Sequence, residues 1–272
     1  MNTNSNTYTI IYATVLVVIV AAILAFVSTT LKDKQQRNVD LETKQNILLS
    51  VHLAKDIDKA EDPATYIEKE FSKYISESVV VDTKGNTVEG IAFKTDLKSQ
   101  YDIMRSATSN KDNLKLPIFI CTKDNGEKIY IFSVYGAGLW GPIWGYVSLK
   151  EDFNTVEGVN FGHKGETPGL GAEIATAAFA KQFEQKEVFE NGKFTSVAIV
   201  KGGAEEGNMH QVDAISGGTI TSQALEATIS SWLTYYLPFI EKQKAEIEAK
   251  AAAEAEAAKN EVKEESNEER DL

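Results

Sequence analysis

At 272 residues the chain has room for a membrane anchor, one sizeable core and a tail, and too little for two full domains. A formal net charge of −12 excludes the basic footprint that nucleic acid requires, so no nucleic-acid partner is expected. Cys121 is the only cysteine, which rules out a disulfide or a cysteine-ligated iron–sulfur cluster within this chain, and His52, His163 and His210 lack the close spacing of a zinc site, so no protein-bound metal is expected.

Residues 10–27 (IIYATVLVVIVAAILAFV) carry no charge. As a helix they reach about 27 Å at ~1.5 Å per residue, close to the hydrocarbon thickness of a bilayer. The preceding MNTNSNTYT has no basic side chain and no small-x-small site follows, so a retained anchor is expected over a cleaved signal. Lys32, Lys34 and Arg37 follow the span, and the positive-inside rule alone would put what comes next in the cytoplasm.

The division expected is an anchor over residues 1–30, a helical stalk over 31–62 with Leu41, Ile47, Leu48 and Val51 as sparse apolar contacts, a globular domain over 63–240 and an acidic tail over 241–272. The globular part opens with a helical pattern (Tyr66, Ile67, Phe71, Tyr74, Ile75) behind Pro63. Three hairpins follow: 78–93 around Lys84-Gly85-Asn86, 118–135 around Asp124-Asn125-Gly126, and 145–161 around Asp152-Phe153-Asn154. Residues 172–187 read as a helix and 194–200 as a strand. Leu225, Ile229, Trp232, Leu233, Tyr236, Leu237 and Ile240 form one helical stripe that Pro238 should end or kink. Strands with segregated helices give an α+β fold, a mainly antiparallel sheet with packed helices. The tail, with eleven acidic and six basic residues among Ala, Glu and Lys, reads as a solvated, fraying helix.

Three segments could carry chemistry. Residues 136–141 (GAGLWG) formally match a dinucleotide fingerprint, but Pro142 to Val147 reads as a strand, where a nucleotide site needs a helix whose first amides receive the pyrophosphate. Leu139, Trp140 and Trp144 could instead wall a planar ring, or simply pack at a strand crossing. Residues 163–171 (HKGETPGLG) form a glycine-bounded loop in which Glu166, Thr167, Pro168, Gly169, Leu170 and Gly171 could press amides and a polar group against a ligand. In residues 213–222 (DAISGGTITS) a strand ends, Gly217 and Gly218 turn, and Thr221 or Ser222 should cap the next helix. An anion there would meet free amides, the positive end of the helix dipole and the hydroxyls of Ser216, Thr219, Thr221 and Ser222.

SGGTITS resembles the S-G-A-T-x-T-S attachment motif of the covalent FMN-binding domain family, with Gly218 in place of the usual Ala, and HKGETPGLG resembles that family's H-x-x-E-T-P-G-L-G loop. GLWGPIWGY is similar to the form found in the C subunit of Na+-translocating NADH:quinone reductases, and the likeness takes in the anchor and KQQRNVDLETKQNIL. The resemblance implies FMN joined by a phosphoester to Thr219, installed by a separate flavin transferase. Ser216, Gly217, Gly218, Thr221 and Ser222 would hold the phosphate, and residues 166–171 with Leu139, Trp140 and Trp144 would flank the isoalloxazine ring. It further implies an electron-carrier subunit in a bacterial inner-membrane complex that oxidises NADH with quinone and exports Na+. The NADH, quinone and Na+ sites would lie on partner subunits, and the flavin domain on the periplasmic side, against the positive-inside signal. Two other readings compete: the G subunit of an Rnf-type ferredoxin:NAD+ oxidoreductase, and a cofactor-free membrane-tethered scaffold.

Overall fold

The structure is a computed structural model that describes residues 6–268 and divides into two units, residues 1–45 and 46–272. The first unit holds all but the last four residues of helix α1 (Asn6–Leu49), including the apolar stretch, whose side chains are exposed from Ile10 to Val27. It is long and apolar enough to cross a membrane, compatible with a single-pass anchor.

The second unit is α+β. Its central sheet is antiparallel throughout, in the order β2-β1-β3-β4-β5-β6, with β1 Ile75–Val81, β2 Thr87–Val88, β3 Leu116–Thr122, β4 Lys128–Ala137, β5 Pro142–Leu149 and β6 Val156–His163. The three expected hairpins are its β1–β2, β3–β4 and β5–β6 connections, and β4–β5 is a further tight turn. The β5–β6 turn places Phe153 at φ 52°, where the Asp152 carboxylate accepts from the amides of Asn154 and Thr155 (both 2.8 Å).

Both faces of the sheet are buried, which is why β3 and β4 read as nearly unbroken apolar runs. Side chains alternate between faces along a strand. Ile118, Ile120, Tyr130, Phe132 and Val134 point into the larger core with Leu225, Ile229, Trp232, Leu233 and Tyr236. Phe119, Cys121, Ile129 and Ile131 point into a smaller core that includes Ile47, Val51 and Tyr74. Ile47 and Leu48 are fully buried, so the last turn of α1 is part of the globular core rather than a sparse stalk contact.

Cys121 has no exposed surface, and its burial pushes the thiol up to about 11. Thiolate is the reactive species, so the folded protein should resist maleimide at neutral pH and react once unfolded in guanidinium. Rapid labelling of Cys121 in the native protein would contradict this packing.

Helix α2 (Pro63–Tyr74) starts on Asp62, whose carboxylate accepts from Ala64 and Thr65, with Pro63 at the first helical position. Helix α3 (Leu97–Arg105) was not anticipated from the sequence, although Asp96 caps it and Leu97, Tyr101 and Met104 recur at helical spacing. Its terminal carbonyls converge on the Lys111 ammonium, which donates to Met104 and Ser106 (both 2.7 Å) and to Ile103.

Three local expectations are corrected. Residues 172–187 are not one helix: a 3-10 turn over Gly171–Ala175 gives way at Thr176, whose hydroxyl accepts from the Phe179 amide and starts the short α4 (Ala177–Lys181). The strand expected over 194–200 is broken at Ser196 (φ 61°) into β8 (Lys193–Phe194), paired with β7 (Phe189–Glu190), and β9 (Ala198–Val200), paired in parallel with β10 (Gln211–Asp213). Both the Thr195 and Ser196 amides donate to Val188 O, which turns the chain between them.

The third correction concerns Pro238. Helix α5 runs Thr219–Glu268 with Pro238 inside it, so the helix does not end there. Proline costs the helix one N–H, but Tyr236, Phe239 and Ile240 are buried on either side and hold both turns against the core. The β1–β2 turn closes on the same place: a Cβ on Gly85 would lie 2.5 Å from Pro238 C and Phe239 N, so this close approach requires glycine. Lys242 donates to Asn86 Oδ1 (2.5 Å) beside it.

Candidate functional site

The three segments singled out in the sequence meet at the N-terminal end of α5. Residues 138–141 form the tight turn between β4 and β5, closed by the Gly138 amide donating to Gly141 O (2.8 Å), and the segment that follows is the expected strand. Thr167 to Leu170 forms a turn with Pro168 second and Gly169 third at φ 76°, the Leu170 amide donating to Thr167 O (3.1 Å). Ile215 to Gly218 forms another, with Gly217 at φ 73° and the Gly218 amide donating to Ile215 O (3.0 Å). These turns surround a cleft of about 220 Å³. One wall is Leu139 and Trp140, a second is Glu166, Thr167, Leu170 and Gly171, and the third is Gly217, Gly218, Thr219, Ile220 and Thr221.

Not every candidate residue reaches the cleft. Trp144 lies on β5 and its indole covers Gly162 of β6, where a Cβ would sit 2.8 Å from Trp144 Nε1, so it packs on the sheet and does not line the cleft. Pro168, Gly169 and Ser216 lie at the periphery, outside the lining, and Ser222 is fully buried behind it.

Helix α5 begins at Thr219, two residues before the expected cap. Gly218 therefore precedes the first turn and offers no side-chain cap, which leaves the opening amides without intrahelical acceptors at the positive end of the dipole. Thr221 and Ser222 are engaged elsewhere. The Thr221 hydroxyl donates to Glu166 Oε2 (2.7 Å), and the Ser222 hydroxyl accepts from the Ile215 amide (3.1 Å). Among the described residues the Thr219 hydroxyl has no such partner, and it faces the cleft part-exposed.

Glu166 belongs to the cleft wall, with its carboxylate held by the Trp140 amide and the Thr221 hydroxyl. Its side chain is only 4 % exposed and is turned inward between the three turns. Around the cleft mouth Trp140 (68 % exposed), Ile220 (56 %), Leu139 (47 %) and Leu170 (42 %) form an apolar rim. Ile220 was not among the expected site residues, although its position off the buried stripe of α5 marks it as an apolar residue facing outward.

The chemistry of this arrangement is that of a small-anion seat with a flat apolar apron: free helix amides and a free hydroxyl within, exposed carbon surface at the lip. An anion seat with a flat apolar rim is compatible with a flavin mononucleotide carrier, and residues 138–234 match the FMN-binding domain family. The chain is 30 % identical over 242 residues to the C subunit of the Na+-translocating NADH-quinone reductase of Vibrio anguillarum, covering 85 % of this chain and 92 % of that one. It is similar in structure to the corresponding C subunit from Parabacteroides distasonis (TM-score 0.66, 37 % identity, 77 % of this chain and 96 % of that one). A crystal structure of Shewanella oneidensis NqrC is similar as well (TM-score 0.64, 25 % identity, 78 % and 99 %). The chain belongs to the NqrC family, the C subunits of the Na+-translocating NADH-quinone reductase.

Proposed function

We propose that this chain carries FMN as a phosphoester on Thr219 and passes electrons within a membrane NADH:quinone reductase that exports Na+. The observation that carries the reading is the free Thr219 hydroxyl at the uncapped head of α5, in a cleft where the neighbouring Thr221 and Ser222 hydroxyls are already engaged. A phosphate ester there is stabilised by the opening amides and dipole of the helix. The cleft, at about 220 Å³, is below the ~300–1,000 Å³ typical of small-ligand pockets. It suits the phosphate end of FMN, while the isoalloxazine ring fits along the rim of Leu139, Trp140, Leu170 and Ile220. The flavin supplies the electron transfer when bound, and the protein attaches and orients it.

Partners on this reading are the other subunits of the complex, which hold the NADH, quinone and Na+ sites, and a flavin transferase that matures Thr219. Residues 1–30 act as the anchor, 31–62 as a stalk whose end from Ile47 to Val51 is packed into the globular core, and 63–240 as the flavin domain, with the domain on the periplasmic face of the inner membrane. The buried Cys121 cannot report that orientation, but exposed Ala107 can: Ala107→Cys in intact cells should react with a membrane-impermeant thiol reagent, and protection would place the domain inside.

The test of attachment is intact mass and peptide mapping on protein from its native membrane. The peptide bearing Thr219 should gain the mass of FMN less one water. An unmodified peptide, in cells that make the transferase, would favour a cofactor-free tether.

A further inference from the structure

The Glu166 carboxylate joins two turns of the site to its own. Its Oε1 accepts from the Trp140 amide (2.8 Å) and its Oε2 from the Thr221 hydroxyl (2.7 Å), while its own amide donates to His163 Nδ1 (3.2 Å). Two glycines make room for it: a Cβ on Gly138 would lie 2.5 Å from Oε1, and one on Gly171 would lie 2.5 Å from Oε2. Gly138 in GAGLWG and Gly171 in PGLG thus both clear space for one buried side chain, with no ligand required. A buried hydrogen-bond partner left unmatched is costly.

We infer that Glu166 is the positioning residue of the flavin site: it pins the Trp140 turn to the first turn of α5, fixing the width of the cleft and the direction in which Thr219 presents its hydroxyl. The inference rests on the flavin reading for its functional half only, because the bridge can be measured without flavin. Removing the bridge frees the Trp140 turn from the helix, and both the rim and Thr219 lose their shared reference.

The bridge has a distinctive rescue. Trp140 contributes an N–H, which can only donate, whereas the Thr221 hydroxyl can donate or accept. In Glu166→Gln the side-chain oxygen can take the Trp140 amide while the side-chain nitrogen donates to Thr221, restoring both ends. Glu166→Ala restores neither.

The experiment compares these variants of the full chain in two forms. In flavin-free protein made without a transferase, iodide quenching of tryptophan fluorescence reads chiefly Trp140, since Trp232 is buried and Trp144 half-covered. In protein co-expressed with a flavin transferase, the fraction of the Thr219 peptide carrying FMN and the visible spectrum of bound flavin read the site itself. Glu166→Ala should change the quenching, lose flavin incorporation several-fold and shift the flavin spectrum, with Glu166→Gln close to wild type in all three. Parental quenching and a parental flavin signal in Glu166→Ala would overturn the inference, as would a Glu166→Gln protein as impaired as Glu166→Ala. Should Glu166→Ala fail to fold, Thr221→Val cuts the same bridge at its other end, and Thr221→Ser, which keeps the hydroxyl, is its rescue, with the same outcomes deciding. If wild type itself takes up no flavin, the functional reading fails on its own, and the quenching still decides the positioning role.

Discussion

The Thr219→Val protein should fold as the parent does and carry no covalent flavin. Valine keeps the branched shape of threonine and removes only the hydroxyl, which among the described residues has no hydrogen-bond partner to lose. At the first position of a long helix the difference in propensity is at most a few tenths of a kcal/mol. Stability should therefore hold, while covalent attachment drops from the parental level to none, because an ester needs the oxygen. Intact mass and absorbance near the flavin bands, after co-expression with a transferase, read this directly. Normal flavin content in the variant would move the attachment to Ser216, the other hydroxyl of the motif that no buried contact engages.

Trp232→Ala should cost about 3–5 kcal/mol of folding stability, the usual range for deleting a large buried aromatic side chain. Trp232 is 1 % exposed, lies beside the Tyr236 ring (centroids 6.4 Å apart) and donates from Nε1 to Tyr135 O (2.6 Å). It is the largest side chain by which α5 is seated on β4. The seat is close: a Cβ on the adjoining Gly136 would lie 2.0 Å from Thr228 Oγ1. The loss should appear as a lower urea midpoint with an unchanged slope, and a variant within about 1 kcal/mol of the parent would show that the seat of α5 depends little on this residue.

How much of the fold and site is legible in the sequence depends on whether the signal is local. The hairpins follow from turn residues between apolar runs, and all three turns stand where those residues put them. The candidate attachment threonine stands out because motif and helix start coincide within a few residues. For Trp144 the sequence leaves a ring wall and strand packing both open, and only the pairing of Trp144 with Gly162 shows which surface its indole covers. Glu166 is legible as a site residue but not in its direction, because its partners, Trp140 and Thr221, lie 26 and 55 residues away. Pro238 misleads for a similar reason: propensity stops a helix there, and the buried Phe239 and Ile240 beyond it overrule propensity. Helix α3 has an aspartate cap and periodic apolar residues, a short local signal overshadowed by the stronger hairpins on either side.

The attachment turn carries one consequence for how this sequence can drift. A Cβ on Gly218 would come within 2.9 Å of Ile215 Cγ2 and 3.2 Å of the Gly171 amide nitrogen. The alanine customary in the motif is thus not a free exchange for the glycine present here, since the added methyl and the branched side chain three residues earlier compete for the same space. Positions 215 and 218 are thereby coupled: an alanine at 218 requires the Ile215 side chain or its turn to shift, and a smaller residue at 215 lifts that requirement.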